Sequence, residues 1–111
     1  EELFAERGIA AAPKTVEEMA DFAKRVTHRR ADGTQVTGLL MPGVTYPNVI
    51  DLARAWDGDF ITQDFRCVAD QPPMLNAVRM LRELFQAGAF PRNFAAISTE
   101  DVNVWMQQGR A

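Results

Sequence analysis

Gly33-Thr34-Gln35-Val36-Thr37-Gly38-Leu39-Leu40-Met41-Pro42-Gly43 is the stretch on which the fold turns. Asp32-Gly33 marks a turn ahead of it, and Pro42-Gly43 closes it. Between them Val36 to Met41 is a short apolar run, the length and composition of a buried strand. Helical patterns lie on both sides, so one such strand makes the chain α/β and helix-rich.

On the N-terminal side, Thr15 opens the clearest helix. Thr15 and Glu18 form a Thr-x-x-Glu capping box, in which each side chain satisfies a free N–H of the first turn. Val16, Met19, Ala20, Ala23 and Val26 share one face at helical spacing. Glu17 and Glu18 lie at its start and Lys24, Arg25, His28 and Arg29 at its end, as the helix dipole favours. Before it, Glu2 to Arg7 reads as the last turns of a helix stopped by Gly8.

On the C-terminal side, a helix starting near Thr45 or Asn48 carries Val49, Leu52, Ala53 and Trp56 on one face and ends at Gly58. Asp59 to Asp70 alternates loosely through Phe60, Ile61, Phe65 and Val68, which suggests a short hairpin. Asp70 is the expected cap of the next helix, with Pro72 and Pro73 in its first turn, where a missing N–H does no harm. Met74, Ala77, Val78, Leu81, Leu84 and Phe85 form its apolar stripe, and Gly88 closes it. Ser98 or Thr99 caps a last helix that ends at Gly109. Met19, Phe22, Val26, Val78, Leu81, Phe85 and Trp105 are expected in one shared core.

With 47% hydrophobic and 24% charged residues among 111, the chain has enough apolar side chain to offset its ordering entropy as a single fragment. A net charge of −3 lacks the basic excess of a general nucleic-acid binder. One cysteine, Cys67, allows no internal disulfide. No apolar run approaches the ~18 residues of a membrane span. The chain opens on Glu1-Glu2-Leu3-Phe4 and closes on Gln108-Gly109-Arg110-Ala111, so it reads as an internal portion of a longer protein.

No catalytic constellation is visible. His28 is the only histidine, and it reads as part of a solvated helix end. Cys67 reads as a small apolar residue of a strand, with no base assigned beside it. Asp57, Asp59 and Asp64 fail the calcium-loop spacing, because Thr62 and Val68 stand where Gly and Glu are required. Gly-rich phosphate motifs are absent. Lys24, Arg25, Arg29 and Arg30 read as a solvated basic helix end, and the connectors are too long for helix-turn-helix DNA binding. No enzyme, metal or cofactor is implied.

The order of landmarks carries more than any one of them. Leu3-Phe4, Gly8-Ile9, Pro13-Lys14-Thr15 and Glu17-Glu18 come first, then Thr37-Gly38-Leu39 and Ala55-Trp56-Asp57-Gly58-Asp59. Asp70-Gln71-Pro72, Leu81 to Gly88, Phe90-Pro91, Glu100-Asp101 and Met106-Gln107-Gln108-Gly109-Arg110-Ala111 follow. Over the whole chain this series resembles the extracellular solute-binding proteins, family 1, the carbohydrate receptors of ABC importers. Val16, Asp57 and Arg110 depart from the family's usual tryptophan, glycine and lysine.

The resemblance implies a fragment of a periplasmic-binding-protein-like lobe of type II, the second of two. It also implies a periplasmic or extracellular location, lipid-anchored in some full-length forms. The partners would be a small-molecule solute, a carbohydrate, and an ABC permease in the membrane, with no nucleic acid. The alternative from another class is a small helical protein-interaction domain, with Trp56, Trp105 and Met106 lining a groove for a partner helix.

For a receptor, ligand is expected beyond the carboxyl end of the strand. That places Gly43, Tyr46 and Asn48 in the candidate site, with Trp56 as a further member. Tyr46 supplies a ring to stack on a sugar face, Asn48 an amide for its hydroxyls, and Gly43 room for close backbone approach. The competing roles are structural: Tyr46 stapling the next helix, Asn48 capping it, and Trp56 in the core.

Overall fold

The computed structural model describes residues 2–43 and 47–111. Its elements are α1 (Glu2–Glu6), α2 (Val16–Val26), β1 (His28–Arg29), β2 (Gln35–Val36), α3 (Pro47–Arg54), α4 (Pro72–Gln86) and α5 (Thr99–Gln107), with a short 3-10 turn at Phe94–Ala96. The protein is therefore a small helix-rich α/β fold, with a two-stranded antiparallel sheet among the described residues. Its contacts gather into two units, one of Glu1–Val44 with Leu84–Ala111 and one of Thr45–Glu83.

In the first unit, α2 begins as its sequence dictates. The Glu18 N–H donates to Thr15 Oγ1 at 3.1 Å, while the Glu18 carboxylate accepts from the Lys14 N–H at 2.7 Å rather than from Thr15 itself. Ala20, Ala23 and Val26 are buried on the expected face. The helix stops at Val26, earlier than its basic tail suggests, because Thr27 turns extended and bonds back to Ala23 O through both its N–H and its hydroxyl. His28 and Arg29 thus leave the helix and form β1, paired with Val36 and Gln35. Ile9, Val26 and Val36 make a core against which Leu3, Phe4 and Phe22 pack. The Phe4 and Phe22 rings meet edge to face, 5.8 Å apart.

The expected buried strand from Val36 to Met41 is buried only at Val36 and Thr37, half-buried from Gly38 to Met41, and does not form a ladder. Only Gln35 and Val36 are paired in a sheet. Beyond them the Thr37 N–H donates to Arg110 O at 2.8 Å, Leu39 to Ala89 O at 3.1 Å, and Gly43 to Ile97 O at 3.0 Å. With the Gly38 N–H donating to Thr27 Oγ1 at 3.0 Å, four separate acceptors serve this backbone without a continuous partner strand. Gly38 lies against the end of α2, where a Cβ would fall 1.7 Å from Ala23 O.

In the second unit, Ala53, Met74 and Ala77 are buried, with Val49, Leu52 and Trp56 packed against them. The hairpin of 59–70 is reduced to a single antiparallel bridge between Ile61 and Cys67. Asp70 is not the cap of α4: the Leu75 N–H bonds Gln71 O at 3.2 Å, so the helix starts one residue later than expected. A Cβ on Gly58 would stand 2.1 Å from Pro73 Cβ, so the end of α3 passes against the start of α4 with no side chain between them.

Of the seven residues expected in one shared core, only Val26 is buried, with Phe22 packed against its cluster; Met19, Leu81 and Trp105 are half-buried, and the remaining two are exposed. Val78 is 52% and Phe85 51% exposed, because the buried stripe of α4 is the narrow one through Met74, Ala77 and Leu84. Leu75, Val78 and Phe85 instead form a second apolar stripe that stays exposed.

Candidate functional site

The residues assigned to a ligand site are distributed over both units. Gly43 belongs to the first, and the space beside it is filled by the chain itself: a Cβ there would lie 2.0 Å from Phe94 O. Close approach at Gly43 is thus to the 3-10 turn, which accounts for the glycine without a ligand. Tyr46 lies outside the described residues. Asn48 is half-buried in the first turn of α3, and Trp56 is half-buried against Ala53, Met74 and Ala77, the core role weighed for it from spacing. Trp105 is half-buried beneath Arg110, whose guanidinium sits 4.1 Å from the ring centroid, and Met106 is exposed.

Sequence reading did not anticipate a polar hollow in the second unit. It is open to solvent, holds about 590 Å³, and is lined by Asp57, Asp59, Thr62, Gln63 and Gln71 together with Ile61, Val68 and Pro73. Its rim is built by hydrogen bonds local in sequence. The Gly58 N–H donates to Ala53 O and Asp57 to Arg54 O, both at 3.1 Å, which ends α3 and turns the chain. Asp59 caps the Phe60 N–H at 2.7 Å and pairs with Arg54 at 3.4 Å. At the hairpin tip Thr62 donates to Asp64, which also pairs with Arg66 at 2.7 Å. The Thr62 hydroxyl, and then Arg66, hold the Asp64 carboxyl below its usual range.

Carboxylates and amides around an open hollow are the side-chain chemistry that holds hydroxyl groups of a polar solute. The signal for it is Asp57-Gly58-Asp59, which the sequence offers both as a failed calcium spacing and as one landmark of the resemblance. Among the described residues no group of three His, Cys, Asp or Glu side chains is placed to hold a metal ion. Asp59 and Asp64 are each engaged by an arginine. The same unit has a wholly apolar groove of about 380 Å³ lined by Val49, Ile50, Phe60 and Met74.

A second cluster also escaped the sequence reading. His28 is not on a solvated helix end but in β1, with its side chain 18% exposed. Its Nδ1 is 2.7 Å from Val26 O and its Nε2 3.3 Å from Glu6 Oε2. Arg30 reaches the other oxygen of Glu6 at 2.7 Å. Arg30 holds the Glu6 carboxyl below its usual range, and Glu6 in turn raises Arg30. The Asp32-Gly33 turn, flanked by residues that can pair, was the signal for this hairpin.

No protein-family model, curated protein or solved structure matches this chain. Among the described residues no helix is long and apolar enough to cross a membrane.

Proposed function

We propose that this chain is part of the sugar-binding receptor of an ABC importer, within a periplasmic-binding-protein-like lobe. What supports the reading is where its recurrent landmarks fall. Gly8, Asp57-Gly58, Gly88 and Gly109 each carry part of the ordered resemblance. Each also stops a helix through the same pair of backbone bonds, with a left-handed residue at Gly8, Asp57, Gly88 or Gly109. Four of the motifs are thus helix ends, which a shared fold would preserve. In such a receptor the ligand bridges two lobes and favours closure through the contacts it gains there. The second unit brings an amide at Asn48 and the polar hollow around Asp57 and Gln71 to that task.

The test is calorimetric titration of the complete gene product with a panel of mono- and disaccharides. Binding of at least one sugar is expected, weakened about tenfold or more by Tyr46→Ala and Asn48→Ala, the scale of a lost buried hydrogen bond or stacked ring. Absence of binding across the panel would overturn the reading.

A protein-interaction domain is the second reading. The groove of Val49, Ile50, Phe60 and Met74 and the exposed stripe of α4 favour it, since both present apolar surface.

A further inference from the structure

We infer that the polar hollow of the second unit selects a positively charged solute, an aminated sugar over its neutral or acidic counterpart, and that Asp57 reads the charge. This selectivity rests on the receptor reading above and names its class of solute. The hollow sits where the chain keeps its negative charge. Asp51 to Asp70 holds five aspartates against two arginines, an excess of three, which equals the formal net charge of the whole chain. Asp57, Asp59, Thr62 and Gln63 line the hollow from within that segment and Gln71 from just beyond it, with no lysine or arginine among the described lining residues. A cleft lined by one sign of charge concentrates the opposite one.

Most of the polar groups around it are already engaged. Arg54 is shared between Asp51 at 3.3 Å and Asp59 at 3.4 Å, and the other oxygen of Asp59 takes the Phe60 N–H. Arg66 is held by Asp64, whose second oxygen accepts from Thr62. Gln71 gives an amide N–H to Asp70 at 3.2 Å, which leaves its carbonyl oxygen to accept. Both arginines are thus met by carboxylates. Of the two carboxylates that line the hollow, only that of Asp57 makes no hydrogen bond or ion pair among the described residues. An ammonium group brings three donors and no acceptor, so it suits this carboxylate and the Gln71 oxygen, while Gln63 has an amide for the hydroxyls. The backbone points the same way. Asp57 holds a left-handed φ of 57° just past a helix, a position that glycine commonly fills. A side chain kept there against strain has a use beyond the turn.

The test extends the calorimetric panel on the complete gene product, offering each sugar in neutral, aminated and acidic form: glucose, glucosamine and glucuronate, the same three forms of galactose, and their disaccharides. An aminated member is expected to bind about tenfold or more tighter than its neutral parent, the gain of a charge-assisted over a neutral hydrogen bond, and the uronates to bind weakest. Added salt should shrink the preference. Asp57→Asn should erase it and leave the affinity for the neutral parent unchanged. Asp57→Gly, which suits the turn, should do the same and decides the matter where Asp57→Asn folds poorly. Equal affinity for aminated and neutral forms, or a preference that survives both substitutions, would overturn the selectivity and leave the receptor reading standing. Absence of binding by every form of every sugar would overturn both.

Discussion

Asp57 holds φ at 57°, a left-handed conformation that glycine adopts freely and most side chains resist. The structure makes a helix-ending turn here with an aspartate, not a glycine, in the left-handed position. The Asp57 and Gly58 N–H groups close α3 onto Arg54 and Ala53 as a glycine would. Left-handed backbone costs roughly 1–2 kcal/mol at a residue with a Cβ, and glycine gives back part of that through its looser unfolded chain. Asp57→Gly is therefore expected to stabilise the chain by about 0.5–1 kcal/mol, read as a higher urea midpoint at unchanged slope. A lower midpoint would show that the Asp57 carboxylate makes a contribution larger than its backbone strain.

Among the elements, α5 is the one whose start is most fully written in its side chains. Ser98 Oγ accepts the Asp101 N–H at 3.1 Å, and the Asp101 carboxylate accepts from the Ser98 N–H at 2.9 Å. The Ser98 N–H, and then its hydroxyl, hold the Asp101 carboxyl below its ordinary value of 3.8. That contribution is present above 3.8 and lost as pH falls through the depressed value. Ser98→Ala should cost about 1 kcal/mol at neutral pH, and the difference from wild type should shrink in acid below the carboxylate range, as measured by urea unfolding at several pH values. A difference constant with pH would mean the cap works through the serine alone. Caps and stops of this kind were legible because they are local: Thr15, Ser98, Gly8, Gly88 and Gly109 act within a turn of themselves. The segment after Val36 was misread as a strand for the opposite reason. Its burial shows in its composition, but the acceptors for Thr37, Leu39 and Gly43 come from Arg110, Ala89 and Ile97, which no local pattern announces. His28 was lost the same way, since its partner Glu6 is on another element. The polar hollow was legible only in part. Asp57-Gly58-Asp59 marks it, yet Gln63 and Gln71 line it from positions that no local pattern ties to that turn.

For the molecule as a whole, the informative surface is the exposed stripe of α4. A helix in a protein that ends at its own surface shows one apolar face, and α4 shows two, the buried one and that of Leu75, Val78 and Phe85. Phe60, Ile61 and Phe65 add exposed apolar area, with Phe65 at 85%. If the chain is one portion of a larger lobe, the rest of that lobe supplies the cover. Val78→Gln and Phe85→Gln then behave differently in two settings. In the 111-residue chain each site is half in water, and each substitution should change stability by no more than about 0.5 kcal/mol. In the complete gene product the same changes should each cost roughly 1–2 kcal/mol, because a side chain already half-buried loses the rest of its transfer from water. Paired urea titrations of both forms read this directly. Equal, small effects in the two settings would leave the stripe uncovered in the intact protein. The balance would then move from a receptor lobe toward a domain that docks a partner on α4.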